Sequence, residues 1–208
     1  MDTPSSSNAT TVGTRARHAL AFFAIAVAWI AIDQAAKRYF ESTQELGAVV
    51  PGSNFGIVQF RLVHNTGAAW SLFSDMTWLL GIVSLVVCAG MLVYALFWVK
   101  RPNWVLTCGA ALVFAGGIGN AIDRFSQGYV VDFIEATFID FPVFNIADIG
   151  VTCGFVLALI GAYRYLAWRD HEAECVAAQA AEEEKKKAGQ RAANRLARQK
   201  SGKGGGRA

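Results

Sequence analysis

Residues 104–124 read WVLTCGAALVFAGGIGNAIDR, a run without charge from Trp104 to Ile122 that closes on Asp123 and Arg124. A helix needs about 20 mostly apolar residues to cross about 30 Å of hydrocarbon, and this stretch supplies 19. Its end is polar in a patterned way. Asn120, Asp123 and Arg124 are spaced i, i+3 and i+4, which sets them on one helix face. Gly116, Gly117 and Gly119 remove side chains one turn earlier, so that another backbone can approach closely. A packing seam with a terminal salt bridge is the plain reading. A polar site at the membrane surface is the functional one, because carboxylates at membrane depth are costly.

Outward from this stretch the chain repeats the theme. Met76 to Val99 is a second uncharged run, of 24 residues. Ala19 to Ile32 is shorter and is continued by Gln34, Ala35 and Ala36. Ile149 to Tyr163 is extended past Arg164 by Tyr165 to Trp168, since an arginine can snorkel to the interface. The chain is 54% hydrophobic and 17% charged, so the expected fold is a membrane all-α domain of four transmembrane helices over residues 15–169. Residues 1–14, rich in Ser and Thr, are expected to be disordered, and 170–208 form a charged, Gly-rich tail. The first span resembles a cleavable signal peptide in length, but the polar pair at its end favours retention. A formal charge of +3, carried by the tail, gives no reason to expect nucleic acid.

Lysine and arginine set the orientation. One side holds Arg15, Arg17, Lys100, Arg101, Arg164, Arg169 and nine basic residues between Lys185 and Arg207, against Lys37, Arg38, Arg61 and Arg124 on the other. Both termini are therefore predicted to be cytoplasmic. Asp33, Asn65, Asp123, Asp132 and Asp148 then gather at the outer face. Ala48 to Pro51, Ile57 to Val63 and Tyr129 to Ile134 favour strands, with a turn at Pro51-Gly52-Ser53-Asn54. They predict a small β-rich extracytoplasmic element.

Asp33 and Lys37 are spaced i, i+4, as an interfacial ion pair or as support for a site. Asn65-Thr66-Gly67-Ala68-Ala69-Trp70 joins an amide, small residues and an aromatic at the mouth of the second span. Asn145 and Asp148 repeat the Asn-x-x-Asp spacing where the fourth span begins. Two close carboxylates separate their pKa values and can act as acid and base together, which is peptide hydrolysis by activated water. On spacing alone Asp123 and Asp148 are the favoured pair, with Asp123 balanced by Arg124. No metal or other cofactor is expected, as no histidine joins the carboxylates. Cys88, Cys108, Cys153 and Cys175 form no Cys-x-x-Cys and read as small packing residues.

Asp33-x-x-x-Lys37, Asn65-x-Gly67-Ala68-Ala69, Gly116-Gly117-x-Gly119-Asn120-x-x-Asp123-Arg124, Val131-Asp132-Phe133 and Phe144-Asn145-x-Ala147-Asp148 occur in this order. Together they resemble the lipoprotein signal peptidases (signal peptidase II), bacterial inner-membrane aspartyl endopeptidases. The resemblance implies Asp132 and Asp148 as the catalytic pair, which moves the first acid from Asp123. It implies supporting roles for Asn120, Asp123, Arg124 and Asn145, and a substrate-facing shell containing Asp33, Lys37, Asn65 and Gly67. It further implies a diacylglyceryl-modified prolipoprotein as substrate, cut before the lipidated cysteine, with membrane lipid as surroundings and a monomer as working unit. Trp70 departs from the Phe common in that family, and Ile149-Gly150 from a small hydroxylated residue. The reading from another class is a small ion- or proton-coupled transporter using the same carboxylates. It predicts acids at several depths, whereas these gather at one end.

Overall fold

A computed structural model describes residues 6–67, 76–98 and 103–202. The parts of the motifs at Ala68, Ala69 and Trp70, and the Lys100–Arg101 turn, lie outside them. The elements are α1 (Ser6–Thr43), β1 (Val58–Asn65), α2 (Thr77–Val93), which runs into a π turn at Tyr94–Trp98, α3 (Trp104–Ser126), β2 (Val130–Ala136) and α4 (Ile146–Gly202). The chain divides into two compact units, Met1–Ala162 and Tyr163–Ala208.

Four helices are long and apolar enough to cross a membrane: Gly13–Thr43, Thr77–Leu96, Trp104–Ser126 and Ile146–Arg191. Buried residues make up 56% of the most apolar stretch of α3, against 17–22% in the other three. Helix α3 is thus the centre of the bundle. Its small residues explain this placement. A Cβ on Gly109 would collide with the backbone of Gly154 and Ala158, and one on Gly116 with the carbonyl of Ala147. Close backbone approach of this kind is how helices associate where lipid removes the hydrophobic drive. Leu20, Val27, Val83, Val86, Phe155 and Leu159 are exposed, as expected of helix faces turned to hydrocarbon.

Helix α1 begins at Ser6, inside the segment whose composition predicted disorder. Propagating an existing helix is far cheaper than nucleating one, so the apolar span carries its helix backward. Helix α4 continues through the charged part of the tail to Gly202. In the second unit, Lys186 pairs with Glu182 at 2.8 Å and Lys187 with Glu183 at 3.8 Å, all exposed, a pattern worth a few tenths of a kcal/mol per pair.

The β-rich element is a two-stranded antiparallel ribbon. Val58 pairs with Ala136 and Asn65 with Val130, with a bulge between Phe60 and Val63. The expected strand at Ala48 to Pro51 reduces to one bridge, Val49 to Arg61, because Pro51 has no N–H to extend a ladder. Gly128, at φ 82°, turns the chain from the end of α3 into β2. Phe40 of α1, Leu62, Val131 and Phe133 form a buried apolar cluster beneath the ribbon, with the Phe40 and Phe133 rings stacked at 4.2 Å. This cluster fastens the ribbon to the end of α1.

Candidate active site

Asn145 precedes α4 and Asp148 occupies its first turn. The Asn145 Oδ1 accepts from the Asp148 amide at 3.0 Å, and Asp148 Oδ2 accepts from the Asn145 amide at 3.2 Å. This is the reciprocal form of a capping box, which satisfies two helix-end donors at once. The same Asn145 donates through Nδ2 to Asp132 Oδ1 at 2.6 Å. One buried asparagine therefore touches both carboxylates that the family resemblance singled out. The second oxygen of each is also held: Asn65 Nδ2 donates to Asp132 Oδ2 at 2.9 Å, and Asn120 Nδ2 to Asp148 Oδ1 at 2.8 Å.

Asp132 lies on β2 and is 1% exposed. Burial, joined by the charge of Asp148, pushes its carboxyl up to about 7 despite the hydrogen bonds from Asn65 and Asn145 and the charge of Lys37. Desolvation and a like charge both disfavour the ionised form. Near neutral pH Asp132 is therefore poised to hold or release a proton.

Beneath the carboxylates lies an ion cluster built from two helices. Lys37 Nζ is 2.9 Å from Asp33 Oδ2, 2.9 Å from Asp123 Oδ2, and donates to Asn120 Oδ1 at 2.9 Å. All three ammonium protons are thus employed. Asp33 Oδ1 accepts from the Ala147 amide at 2.8 Å, and Asp123 Oδ2 from the Val131 amide at 3.2 Å. The cluster ties α1 and α3 to the residues beside each carboxylate. Gly119 makes it possible, since a Cβ there would meet Asp33 Oδ2 at 2.6 Å.

Two sequence-based expectations change here. Asp123 is paired with Lys37, not with its neighbour Arg124. Consecutive helix residues do not face each other. Arg124 instead donates from Nη2 to the Gly67 carbonyl at 3.4 Å and interacts electrostatically with Asp148, Asp132 and Asp123. Asp33 and Lys37 were expected in the substrate-facing shell, yet they are 0% and 2% exposed. Their polar atoms are taken up within the ion cluster and by the Ala147 amide. A buried carboxylate needs a cation, and Lys37 serves two.

Asn65 and Gly67 do line open space. A cavity of about 390 Å³ is bordered by His64, Asn65, Gly67, Asp132, Glu135 and Asp140, and is polar in character. A second, of about 450 Å³, is bordered by Asn65, Phe141, Val143, Phe144, Asp148 and Cys153, and is mostly apolar. The segment Phe141 to Val143 and Asn65 border both. Among the described residues, no group of three or more His, Cys, Asp or Glu is arranged to hold a metal ion.

Sequence reasoning missed Gln34 and Trp29. Gln34 Nε2 donates to Asp123 Oδ1 at 3.0 Å and to the Gly119 carbonyl at 3.2 Å. Trp29 Nε1 donates to the Ile146 carbonyl at 3.1 Å, and a Cβ on Gly150 would strike its ring. An amide next to Asp33 within an apolar span was the available signal for Gln34.

Residues 25–164 match a protein-family model described as signal peptidase (SPase) II. The chain is similar to proteins named lipoprotein signal peptidase. It shares 38% identity over 149 residues with one from Lactobacillus gasseri, covering 70% of this chain and 93% of the relative. It shares 40% over 142 residues with one from Lactococcus lactis subsp. lactis, covering 65% and 89%, and 36% over 146 residues with one from Microcystis aeruginosa, covering 68% and 91%. A solved structure described as a bacterial membrane enzyme superposes with a TM-score of 0.62 at 30% identity, over 69% of this chain and 88% of that one.

Proposed function

From the premise that this chain belongs to the signal peptidase II family, and is a multi-pass membrane protease, we propose that Asp132 and Asp148 cleave signal peptides from diacylglyceryl-modified prolipoproteins. The observation that carries this reading is Asn145, hydrogen-bonded at once to Asp132, which borders the polar cavity, and to Asp148, which borders the apolar one. In the reaction, Asp148 as carboxylate takes a proton from water while Asp132 gives its own to the scissile carbonyl oxygen. The tetrahedral diol then collapses. Its nitrogen leaves with the proton from Asp148, and Asp132 recovers one from the diol. No covalent enzyme intermediate forms. Cleavage falls on the N-terminal side of the lipidated cysteine.

Asn120, Asn145 and Arg124 fix and balance the pair. Asp33, Lys37 and Asp123 hold them from below. Asn65 and Gly67 face substrate, and the apolar cavity suits signal-peptide and acyl chains. The lysine and arginine distribution supports a cytoplasmic-membrane protein with cytoplasmic termini and its site toward the outer face. The chain acts as a monomer.

The test is cleavage by purified protein of a lipobox peptide with and without diacylglycerol on its cysteine. Cleavage only of the lipidated peptide, absent in Asp132→Asn and Asp148→Asn, is the expected result. An active Asp148→Asn protein removes the dyad, and no cleavage by the parent removes the function.

A further inference from the structure

Glu41 lies one helical turn beyond Lys37, so Asp33, Lys37 and Glu41 form a stripe at i, i+4 and i+8 on α1. The first two belong to the ion cluster below the site; Glu41 does not. His64 Nε2 lies 3.0 and 3.1 Å from the two Glu41 oxygens. The Tyr129 hydroxyl donates to Glu41 Oε1 at 3.1 Å. The His64 and Tyr129 rings stack at 3.8 Å with 17° between their planes. Burial and Glu41 push the Tyr129 phenol above its ordinary value, so it stays a donor. Three elements thus meet at one carboxylate: the end of α1, the end of β1 and the lead-in to β2.

The place of this contact gives it meaning. His64 immediately precedes Asn65, whose amide is a hydrogen-bond donor to Asp132. Tyr129 immediately precedes Val130, the ladder partner of Asn65. The strand ends that carry Asn65 and Asp132 are therefore fastened to α1 at the last possible point before the chain leaves the ribbon. The apolar cluster of Phe40, Leu62, Val131 and Phe133, against which Tyr129 also packs, fastens one face of the ribbon to α1, and the Glu41 contacts add polar ties at its Asn65 end.

We propose that Glu41, His64 and Tyr129 form a clamp that holds Asn65 in register with Asp132, which makes His64 and Glu41 positioning residues for the reaction proposed above, on which this inference rests. Released, the β1 end moves and Asn65 withdraws its donor from Asp132. That donor favours the ionised form of Asp132. Its loss raises the acid's pKa, against the remaining groups that face Asp132: Asp148 from α4, Lys37 from α1 and Arg124 from α3, with Glu135 and Asp140 along the polar cavity.

The experiment compares the pH profile of kcat for the parent, Glu41→Leu, His64→Leu and His64→Gln, using the lipidated peptide. In the two leucine variants kcat is expected to fall on the order of tenfold with KM little changed, as for a misplaced group. Their alkaline limb is expected to move up by roughly half a pH unit. His64→Gln keeps an N–H for Glu41 and is expected to return both quantities toward the parent. Tyr129→Phe, which loses only a hydroxyl, is the variant least able to disturb folding and is expected to show a smaller shift in the same direction. Unchanged kcat and limb in the leucine variants overturn the clamp, as does a loss equal at every pH. A parent that leaves the lipidated peptide uncut overturns the proposed reaction instead.

Discussion

The ends of α3 and α4 carry the same spacing, Asn120-x-x-Asp123 and Asn145-x-x-Asp148, and the structure gives them opposite surroundings. Asp123 stands near the C-terminal end of α3, where the helix dipole disfavours an anion. It is buried and held by Lys37, Gln34 and the Val131 amide. Asp148 stands in the first turn of α4, where the dipole and the Asn145 cap accommodate a carboxylate without an ion pair to a cation among the described residues. It also borders an open cavity. Which end of a helix an acid occupies decides whether it needs a counter-ion, and that decides whether its oxygens remain available to water.

The sharpest way to break the comparison is to neutralise each acid. Asp148→Asn and Asp132→Asn are expected to lower lipopeptide cleavage by a factor of about 10³ or more, since acid–base catalysis by such groups is typically worth that much, while the proteins still purify as folded. Asp123→Asn is expected to cost detergent-soluble yield as well as activity. A full-yield, inactive Asp123→Asn protein would erase the distinction drawn here.

Next in size is Lys37→Met. It leaves Asp33 and Asp123 buried without their cation, and removing one partner of a buried pair costs about 3–5 kcal/mol. A large fall in thermal midpoint in detergent is the expected reading, and an unchanged midpoint would show that the cluster is not the support it resembles.

The pH dependence is a subtler test of Asp132. Its folded value of about 7 lies above the ordinary carboxylate value of 3.8. Between those values the folded state binds a proton that the unfolded state has lost. Stability from this group is therefore full below about pH 4 and declines as pH rises through 7. The parent is expected to lose thermal midpoint relative to Asp132→Asn between pH 4 and pH 8. Its kcat is expected to decline above about pH 7 as the acid form empties. The smallest effect belongs to the tail: deleting residues 172–208, all within the second unit, is expected to leave cleavage within about twofold, as substitutions far from a site usually do.

The four helices were legible because lipid makes one demand that composition records directly. Ribbon strands were legible as Ile57 to Val63 and Tyr129 to Ile134 through their β-branched and aromatic residues, against observed bounds of Val58–Asn65 and Val130–Ala136. The bulge that sets their register was not, since it depends on how two segments 70 residues apart align. Resemblance pointed to Asp132, whereas spacing alone favoured Asp123. The reason is visible in the contacts. Asp123 is bound to Lys37, 86 positions earlier in the chain, a partner that no local pattern reveals, whereas Arg124 is adjacent in sequence and points elsewhere. Glu41, His64 and Tyr129 were invisible for the same reason, being unremarkable singly and related only once β1 and β2 pair.

Cys153 borders the apolar cavity and is exposed, while Cys88 is buried against the Phe114 carbonyl and Cys175 is exposed in the second unit. The molecule thus carries its own reporter thiol on the cavity that Asp148 borders and a reference thiol in Cys175. Alkylation of Cys153, timed against Cys175 in the same sample, reads occupancy of that cavity by any peptide or inhibitor without an engineered label and without waiting for turnover.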